Sequence, residues 1–454
     1  MDLFGTAGIR GSARDRVTPE LALAVGRAAA LETETDAFVV GRDGRETGDA
    51  LEAAAVAGLE SAGADVRLLG QVPTPALAWA SRGRHGVMLT ASHNPPADNG
   101  IKLFADGVEY GDDAEAEIEA CVAADEGPVA WDAWGERERV DALADYRDAV
   151  ADYARGHGAP LDGLAVVCDC GNGMAARAVP QVLGALGADV TALNAAVDGH
   201  FPGRPSKPTP ETVRDLRAFV ADGDADLGLA HDGDADRIVV VDGAGEVVHE
   251  DTVLAVLAEH YTRASDAADP VVVTTPNASG RIDERVRAAG GRTERVRLGA
   301  LHEGIAAARG ADGDVVFAAE PWKHIHTAFG GWIDGVASAA VFARLVADAG
   351  GLDALRAPVT ERPYRKVSVE CPDDAKEAVM AALETTLPEA FPDAAVSTEY
   401  GVRLTFPDDA WTLVRPSGTE PYVRVYAESE DVDALVDDVR AVVADAIRET
   451  TETT

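Results

Sequence analysis

Lysine is scarce in this sequence, whereas acidic residues are abundant. Five of the 40 basic residues are lysines, and the chain carries 79 acidic residues and a formal net charge of −39. A chain of that charge repels nucleic-acid backbones and anionic lipid, so we expect neither nucleic acid nor a membrane as a partner. Many acids with few lysines are typical of a halophilic protein, whose self-repulsion is screened in a salt-rich cytoplasm. The five lysines are Lys102, Lys207, Lys323, Lys366 and Lys376.

Cysteine and long apolar runs are scarce as well. The four cysteines form no C-x-x-C pair, which excludes a disulfide scaffold and favours buried thiols in a reducing compartment. The first residues lack the basic and apolar regions of a signal peptide, and no stretch approaches 18 uncharged apolar residues. We therefore expect a cytoplasmic protein, and the sequence leaves its oligomeric state open.

Short apolar strands alternate with alanine-rich helical segments through most of the 454 residues. Predicted strands at 36–41, 164–169 and 270–275 each begin a new α/β unit with a buried sheet. From about residue 365, strands follow one another without helices between them, which favours a smaller α+β domain on an antiparallel sheet. Domain boundaries are predicted near 155, near 250–265 and near 357–363.

The segment VMLTASHNPPADNGIK (87–102) contains the first candidate for chemistry. A serine at the end of a strand, here Ser92, is expected to be exposed, as a nucleophile must be. His93 is adjacent to it. Lys102 is one of the rare lysines, and lysine can release its proton whereas arginine cannot. The alternative interpretation is a turn with a capping serine.

The segment LAHDGDADRIVVVD (229–242) predicts a metal site. Alternating spacing directs the carboxylates of Asp232, Asp234 and Asp236 toward one point, and clustered hard oxygen ligands favour Mg²⁺ or Ca²⁺. An EF-hand is excluded because glycine and glutamate are absent at its sixth and twelfth positions. Arg237 follows directly and suits a phosphate shared with the metal. The similarly spaced acids at 222–226 are interpreted as a solvated connection.

Two further segments suggest recognition of a phosphorylated polar molecule. Arg415, Ser417, Gly418 and Thr419, between two predicted strands, are typical of an anion-binding nest, with a plain tight turn as the alternative. The loop AAEPWKHIHTAFGGW (318–332) concentrates hydrogen-bonding groups beside an aromatic ring, as a sugar site does. A zinc site formed by its two histidines lacks further ligands at suitable spacing. Together these motifs favour a cleft that holds one phosphate while another is transferred beside a metal.

With TASHNP, DGDADR and RPSGTEP in this order, and FGTAGIRG (4–11) at the start, the whole chain resembles the α-D-phosphohexomutase family. Members interconvert sugar 1-phosphates and 6-phosphates through a phosphoserine and a bisphosphate intermediate. The resemblance implies three similar α/β domains and a smaller α+β carboxy-terminal domain around a central cleft. The corresponding ranges are 1–155, 156–253, 254–360 and 361–454.

The resemblance also implies a role for each motif residue. Ser92 would be the phosphoserine, and its phosphate would complete a Mg²⁺ site formed with Asp232, Asp234 and Asp236. Proton transfer and charge stabilisation would fall to His93, Lys102 and Arg10, and a sugar bisphosphate would act as activator. The residues implied in binding a sugar phosphate are Arg237, Glu320, Lys323, His324, Arg415, Ser417, Gly418 and Thr419.

The sugar-recognition segment departs from the family pattern. Where the family usually has Gly-Glu-x-Ser-Gly, this chain has AEPWKH (319–324), so that Trp322 and Lys323 replace serine and glycine. A phosphomannomutase/phosphoglucomutase is our first expectation. Phosphoglucosamine mutase and phosphopentomutase are the alternatives, the latter because the bulk of Trp322 would shrink the pocket. Two alternatives belong to other functional classes. The protein would then be a non-catalytic module that binds sugar phosphate and metal, or a hydrolase that uses Ser92.

Overall fold

Strands and helices alternate along the first three quarters of the chain, as the sequence pattern predicts. The computed structural model of the protein describes residues 3–5, 8–33, 37–417 and 420–452. The mixed α/β fold class is confirmed. No helix in these described ranges is long and apolar enough to cross a membrane.

The chain divides into two units. The first unit comprises Met1–Val253 and Val316–Arg356, and the second comprises Leu254–Val315 and Ala357–Thr454. The four domains expected from the sequence, and the three boundaries between them, remain predictions.

A seven-stranded sheet forms the amino-terminal part of the first unit. Its strands are β1 (Ile9–Ser12), β2 (Ala37–Arg42), β3 (Asp65–Gln71), β4 (His85–Leu89), β5 (Asp98–Ala105), β6 (Val108–Glu109) and β7 (Arg137–Arg139). Their order is β1-β5-β4-β2-β3-β7, with β6 paired to β5. The accompanying helices are α1 (Pro19–Glu32), α2 (Gly48–Ser61), α3 (Thr74–Ala80), α4 (Asp112–Ala124) and α5 (Leu143–Arg155). Strands β4, β2, β3 and β7 are parallel, so the loops after β2 and β4 meet at one edge.

Two of these helices pack unusually closely. A Cβ atom added to Gly26 of α1 would lie 2.3 Å from the Ala55 carbonyl oxygen. A Cβ atom added to Gly58 of α2 would lie 2.2 Å from the Leu23 carbonyl oxygen. Glycine is therefore required at both positions. Helix α1 begins after Thr18, whose hydroxyl accepts from the Leu21 amide at 3.3 Å.

A four-stranded sheet follows in the same unit. Its strands are β8 (Ala165–Asp169), β9 (Asp189–Leu193), β10 (Leu227–Ala230) and β11 (Val239–Asp242), in the order β11-β10-β8-β9. Its helices are α6 (Val179–Ala185) and α7 (Arg214–Asp222), with a 3₁₀ turn at Met174–Arg177. The sequence predicts a single helix over 174–186, and this is wrong. Pro180 lacks an amide hydrogen, so a helix restarts with the proline in its first turn.

Helix α8 (Glu250–Ala264) leads from the first unit into the second. There, β12 (Pro270–Thr274) and β13 (Arg292–Arg295) form a parallel pair, accompanied by α9 (Gly280–Ala288) and α10 (Leu301–Gly310). The chain then returns to the first unit. This return occurs at Val316, within the hairpin of β14 (Asp314–Glu320) and β15 (Lys323–Ile325), which is followed by α11 (Gly335–Ala349) and α12 (Leu352–Arg356).

The carboxy-terminal part of the second unit is an antiparallel sheet covered by two helices, which confirms the predicted α+β pattern. Its strands are β16 (Tyr364–Glu370), β17 (Ala395–Ser397), β18 (Val402–Thr405), β19 (Trp411–Pro416) and β20 (Tyr422–Glu428), in the order β16-β20-β19-β18-β17. The helices are α13 (Lys376–Ala390) and α14 (Val432–Glu452). Val379, Leu383, Val414 and Val425 belong to the buried cluster between sheet and helices.

Candidate active site

Ser92 lies just beyond the end of β4 and is fully buried, which corrects the expectation that it is exposed. Its backbone has φ 49°, a left-handed conformation that a serine rarely adopts. The Ser92 amide donates to the Thr90 hydroxyl at 2.9 Å. The loop of the second sheet also approaches closely, because a side chain at Gly233 would lie 2.6 Å from the Ser92 carbonyl oxygen. Burial thus follows from two loops that pack directly on the serine.

The Ser92 side chain points at the acidic loop. Its hydroxyl donates to Asp232 Oδ2 at 2.6 Å, and His93 Nδ1 lies 3.3 Å from Ser92 Oγ. Burial, reinforced by the charges of Arg237 and Arg10, lowers the pKa of His93 to about 3. His93 is therefore neutral at ordinary pH.

The acidic triad of Asp232, Asp234 and Asp236 occupies the loop between β10 and β11. All three side chains are buried, and one oxygen of each lies within 4.8 Å of the other two. Burial and the two neighbouring carboxylates raise the pKa of Asp232 well above its usual value. Burial would also raise the pKa of Asp236, but Lys102 and Arg237 outweigh it and hold that pKa low. The acids at 222–226, in contrast, are mostly exposed, as interpreted from the sequence.

The carboxylate oxygens of the triad divide into those with donors and those without. Asp234 Oδ2 accepts from the Thr74 hydroxyl at 2.6 Å, and Asp236 Oδ2 accepts from Lys102 Nζ at 3.3 Å. The Oδ1 atoms of Asp234 and Asp236 are buried and have no hydrogen-bond partner among the described residues. Buried carboxylate oxygens without donors are costly unless a cation satisfies them. These residues therefore fit a hard divalent cation such as Mg²⁺.

Three cationic side chains surround the triad. Lys102 Nζ lies 3.9 Å from Asp234 and 4.0 Å from Glu109, in addition to its contact with Asp236. Burial alone would lower the pKa of Lys102, but these carboxylates outweigh it and raise the pKa. Arg237 Nε lies 3.6 Å from both Asp232 and Asp236. Arg10 of β1 keeps a buried Nε without a hydrogen-bond partner among the described residues.

The hairpin of β14 and β15 brings two sequence candidates to this group. Lys323 forms a β-bridge with Arg237, and its ammonium lies 3.5 Å from Glu320. Trp322 packs against the hydrophobic cluster of the four-stranded sheet that includes Val167 and Val213. Part of its bulk is thus used in packing within the first unit.

His324 differs from the sequence-based expectation of an accessible sugar-binding side chain. It is buried within β15, and Nδ1 lies 3.1 Å from the Ser338 hydroxyl of α11. Burial lowers its pKa to about 3. The reason is the strand itself: alternation turns His324 inward, opposite to its neighbour Lys323. Its Nε2 atom is buried with no hydrogen-bond partner in the described structure.

A cavity of about 680 Å³ adjoins the serine loop, which we define as residues 92–98. His93, Pro95 and Pro96 line one side, and Arg204 and Ser206 contribute to the other. This volume lies within the range of small-molecule sites. The first unit therefore offers room for a small polar molecule beside His93, although neither Ser92 nor the triad lines this cavity.

Sequence reasoning missed Asp43, Arg45 and Thr74. Arg45 and Asp43 are buried just after β2, where Arg45 donates both to Asp43 and to the serine loop, while Thr74 contacts Asp234. A usable signal was the charged pair directly after a buried parallel strand, because the carboxyl ends of neighbouring parallel strands meet at one edge of a sheet.

In the second unit, the candidate anion site is only partly described. Arg415 Nη2 donates to the Tyr426 hydroxyl at 3.0 Å, and Lys376 Nζ donates to the Ser417 carbonyl oxygen at 2.8 Å. Arg415 and Arg424 are directly paired across β19 and β20. Like charges placed opposite each other repel, and here the charge of Arg424 is offset by an ion pair with Glu420. Gly418 and Thr419 lie outside the described residues.

Comparison with known proteins identifies similar chains. Models of the phosphoglucomutase/phosphomannomutase family match residues 1–128 (alpha/beta/alpha domain I), 144–245 (alpha/beta/alpha domain II) and 367–446 (C-terminal domain). A phosphopentomutase of Thermococcus kodakarensis is 41% identical over 94% of both chains. A protein of Methanopyrus kandleri named probable phosphoglucosamine mutase is 42% identical, also over 94% of both. The crystal structure of a phosphoglucomutase/phosphomannomutase family protein from Burkholderia thailandensis has a TM-score of 0.83 at 26% identity, covering 98% of this chain and 97% of that one.

Proposed function

This chain belongs to the phosphoglucomutase/phosphomannomutase family, and from that premise we propose that Ser92 carries the phosphoryl group that it exchanges with a sugar phosphate. Proteins of this family are isomerases that move a phosphoryl group between two positions of a sugar. The observation that carries the proposal is the 2.6 Å contact between the Ser92 hydroxyl and Asp232. A serine that only caps a turn would not need to contact a buried acidic triad.

The transfer is a substitution at phosphorus. A hydroxyl oxygen of the sugar phosphate bonds to the phosphorus of phosphorylated Ser92, while the bond between phosphorus and Ser92 Oγ breaks. The sugar hydroxyl loses its proton and the departing Ser92 oxygen gains one. We assign this proton movement to His93, which lies 3.3 Å from Ser92 Oγ. The bisphosphate then returns its other phosphoryl group to Ser92 by the reverse steps, so that isomerisation is complete.

Asp232, Asp234 and Asp236 would hold Mg²⁺, which supplies positive charge to offset the phosphoryl oxygens. Lys102 and Arg10 add fixed positive charge at the same place, and Lys102 is oriented by Asp236. Burial of Ser92 keeps water from competing with the sugar hydroxyl. A sugar bisphosphate would act as activator by restoring phosphate to Ser92.

All but one of the remaining candidates would bind the sugar phosphate. Arg237, Glu320 and Lys323 adjoin the triad and suit hydroxyl and phosphate groups. We assign no sugar contact to His324, because its side chain is buried within β15 and Nδ1 lies 3.1 Å from the Ser338 hydroxyl. We assign the phosphate that is not being transferred to Arg415, Ser417, Gly418 and Thr419.

The sugar itself is a matter of proposal. The names of two relatives, at 41% and 42% identity, support a pentose phosphate and glucosamine phosphate beside the glucose and mannose phosphates of our first expectation. A panel of glucose, mannose, glucosamine and ribose 1-phosphates, assayed with a bisphosphate activator at high salt, decides among them. The preferred sugar is expected to exceed the others in kcat/KM by tenfold or more, as about 1.4 kcal/mol of selective binding gives.

The same panel tests the reaction class. We expect the sugar phosphate to be isomerised without release of inorganic phosphate, and intact-protein mass spectrometry to find one phosphate on Ser92. Stoichiometric release of inorganic phosphate would identify a hydrolase. If the protein catalyses neither isomerisation nor hydrolysis, it is a non-catalytic binding module.

A further inference from the structure

Arg45 forms an unusual set of contacts with the serine loop. Its side chain is fully buried at the end of β2 and donates to main-chain carbonyl oxygens of that loop. Nη1 donates to Pro95 at 2.6 Å and to Asp98 at 2.8 Å. Nη2 donates to Ser92 at 2.9 Å and to Asn94 at 2.7 Å. One planar guanidinium thus holds four carbonyl groups of one short loop.

A second set of contacts reaches the amide of Ser92. Asp43 accepts from Arg45 Nε at 3.1 Å and, through the same oxygen, from the Thr90 hydroxyl at 2.7 Å. That hydroxyl in turn accepts from the Ser92 amide. The carbonyl oxygen of Ser92 therefore accepts directly from Arg45, and its amide is linked through the Thr90 hydroxyl to Asp43.

This support matters because Ser92 has a left-handed backbone conformation that serine does not prefer. Such a conformation persists only where the surroundings enforce it. A relaxed backbone would turn the Ser92 hydroxyl away from Asp232. The face of the guanidinium also lies over the ring of Phe201, at 5.2 Å from its centroid, which restricts its position further.

We infer that Arg45 is a positioning residue for phosphoryl transfer, which holds Ser92 in the one conformation that aims its oxygen at the acidic triad. The inference rests on the proposed function. Arg45 reaches the reaction only through the loop, since its donors are used by carbonyl oxygens and Asp43. Phosphorylated Ser92 needs this control because small displacements of reacting groups have large effects on rate.

The test is Arg45→Lys. An ammonium keeps the charge but has three donors and no planar fork, so it cannot hold four carbonyl groups. We expect kcat to fall about 100-fold, as a displacement of about 1 Å can cause, while KM for the monophosphate changes less than threefold. We also expect less phosphate on Ser92 by mass spectrometry, and a higher bisphosphate concentration for half-maximal activity.

The matched control is Arg344→Lys. Arg344 is also buried and donates to main-chain carbonyl oxygens, those of Arg155, His157 and Gly158, at the end of α5 and just after it, and not to the serine loop. Both variants are expected to lower Tm. Only the change at Arg45 should lower kcat and the phosphate content of Ser92.

Thr90→Val extends the test if Arg45→Lys does not fold. It keeps the side-chain volume and removes the hydroxyl that links the Ser92 amide to Asp43, and we expect the same pattern in smaller degree. Folded variants at Arg45 or Thr90 with wild-type kcat and wild-type phosphate content would overturn the inference. Absence of phosphate on Ser92 in the active wild-type enzyme would instead overturn the proposed function.

Discussion

The two loops assigned to phosphate are each held by a buried or half-buried cation, but in different ways. In the first unit, the Arg45 guanidinium binds four carbonyl groups of the serine loop. In the second unit, the Lys376 ammonium binds two carbonyl groups, those of Ser417 and Glu420 at 2.8 and 2.6 Å. A planar fork imposes one geometry, whereas an ammonium on a flexible stem permits adjustment.

This difference matches the tasks proposed for the two loops. The serine loop must place one oxygen at a reacting phosphorus, and misalignment there slows the reaction. The carboxy-terminal loop, residues 416–421, only has to bind a phosphate on either of two sugar positions. The comparison therefore predicts a lower kcat from changes in the first unit and a higher KM from changes in the second.

The largest expected effect is that of Ser92→Ala. Removing the phosphoryl carrier should reduce kcat by about 10⁴-fold or more, as loss of a covalent nucleophile does. The assay is isomerisation of the preferred 1-phosphate with a bisphosphate activator. Ser81→Ala is the control, because Ser81 is also buried in the first unit but its hydroxyl donates to the Ala78 carbonyl oxygen and accepts from the Gly107 amide. Substantial mutase activity in the Ser92 variant would remove this serine from the mechanism.

Next is Asp234→Asn, which removes one charge from the triad. We expect kcat to fall by about 100-fold or more, with a sharply raised Mg²⁺ requirement. Binding of Mn²⁺ by the unphosphorylated protein, followed by electron paramagnetic resonance, gives a readout besides activity. Asp242→Asn is the control at a buried aspartate that bonds the Ala244 and Glu246 amides instead. Wild-type activity in excess chelator would show that the metal assignment is wrong.

A smaller effect is expected from Arg415→Lys in the second unit. Loss of a planar two-pronged donor should raise KM by roughly tenfold, about 1.4 kcal/mol, and leave the phosphate content of Ser92 unchanged. Arg403→Lys, which alters an arginine stacked on Trp411 at 4.1 Å, is the control. A fall in kcat with constant KM would contradict the division of tasks between the loops.

The smallest effect is expected from Lys376→Met. The ammonium supports its loop through two carbonyl groups only, so KM should rise about threefold. A rise of this size corresponds to the loss of one charged hydrogen bond that water partly replaces. The measurement is the steady-state kinetics of Lys376→Met and of Arg45→Lys under the same conditions, which compares the two loop supports directly. If Lys376→Met lowers kcat as strongly as Arg45→Lys does, the two supports are equivalent and the contrast drawn between them is wrong.

The sequence predicted much of the fold because its signals are local. Strands expected at 36–41, 164–169 and 270–275 are found at Ala37–Arg42, Ala165–Asp169 and Pro270–Thr274. The triad was also predictable, because spacing of two within one loop directs three carboxylates to one point. The break in the helix at 174–186 was missed, although Pro180 marks it.

The support of the site was not predictable in the same way. Ser92 and Asp232 are 140 residues apart in sequence, and Thr74 and Asp234 are 160 apart, so no local pattern records their contacts. The burial of His324 and the packing of Trp322 depend likewise on α11 and on the four-stranded sheet. Composition alone nevertheless identified Lys102, whose rarity in an arginine-rich chain marked it before any contact was known.

By itself, the sequence determined the order of strands and helices and the residue types able to move phosphate, because hydrophobic period and side-chain chemistry are properties of short segments. Only the tertiary structure decided that Ser92 is buried, which triad oxygens lack donors, and that Arg45 holds the serine loop. These features depend on free energies of burial and hydrogen bonding between segments that become neighbours only when the sheets assemble.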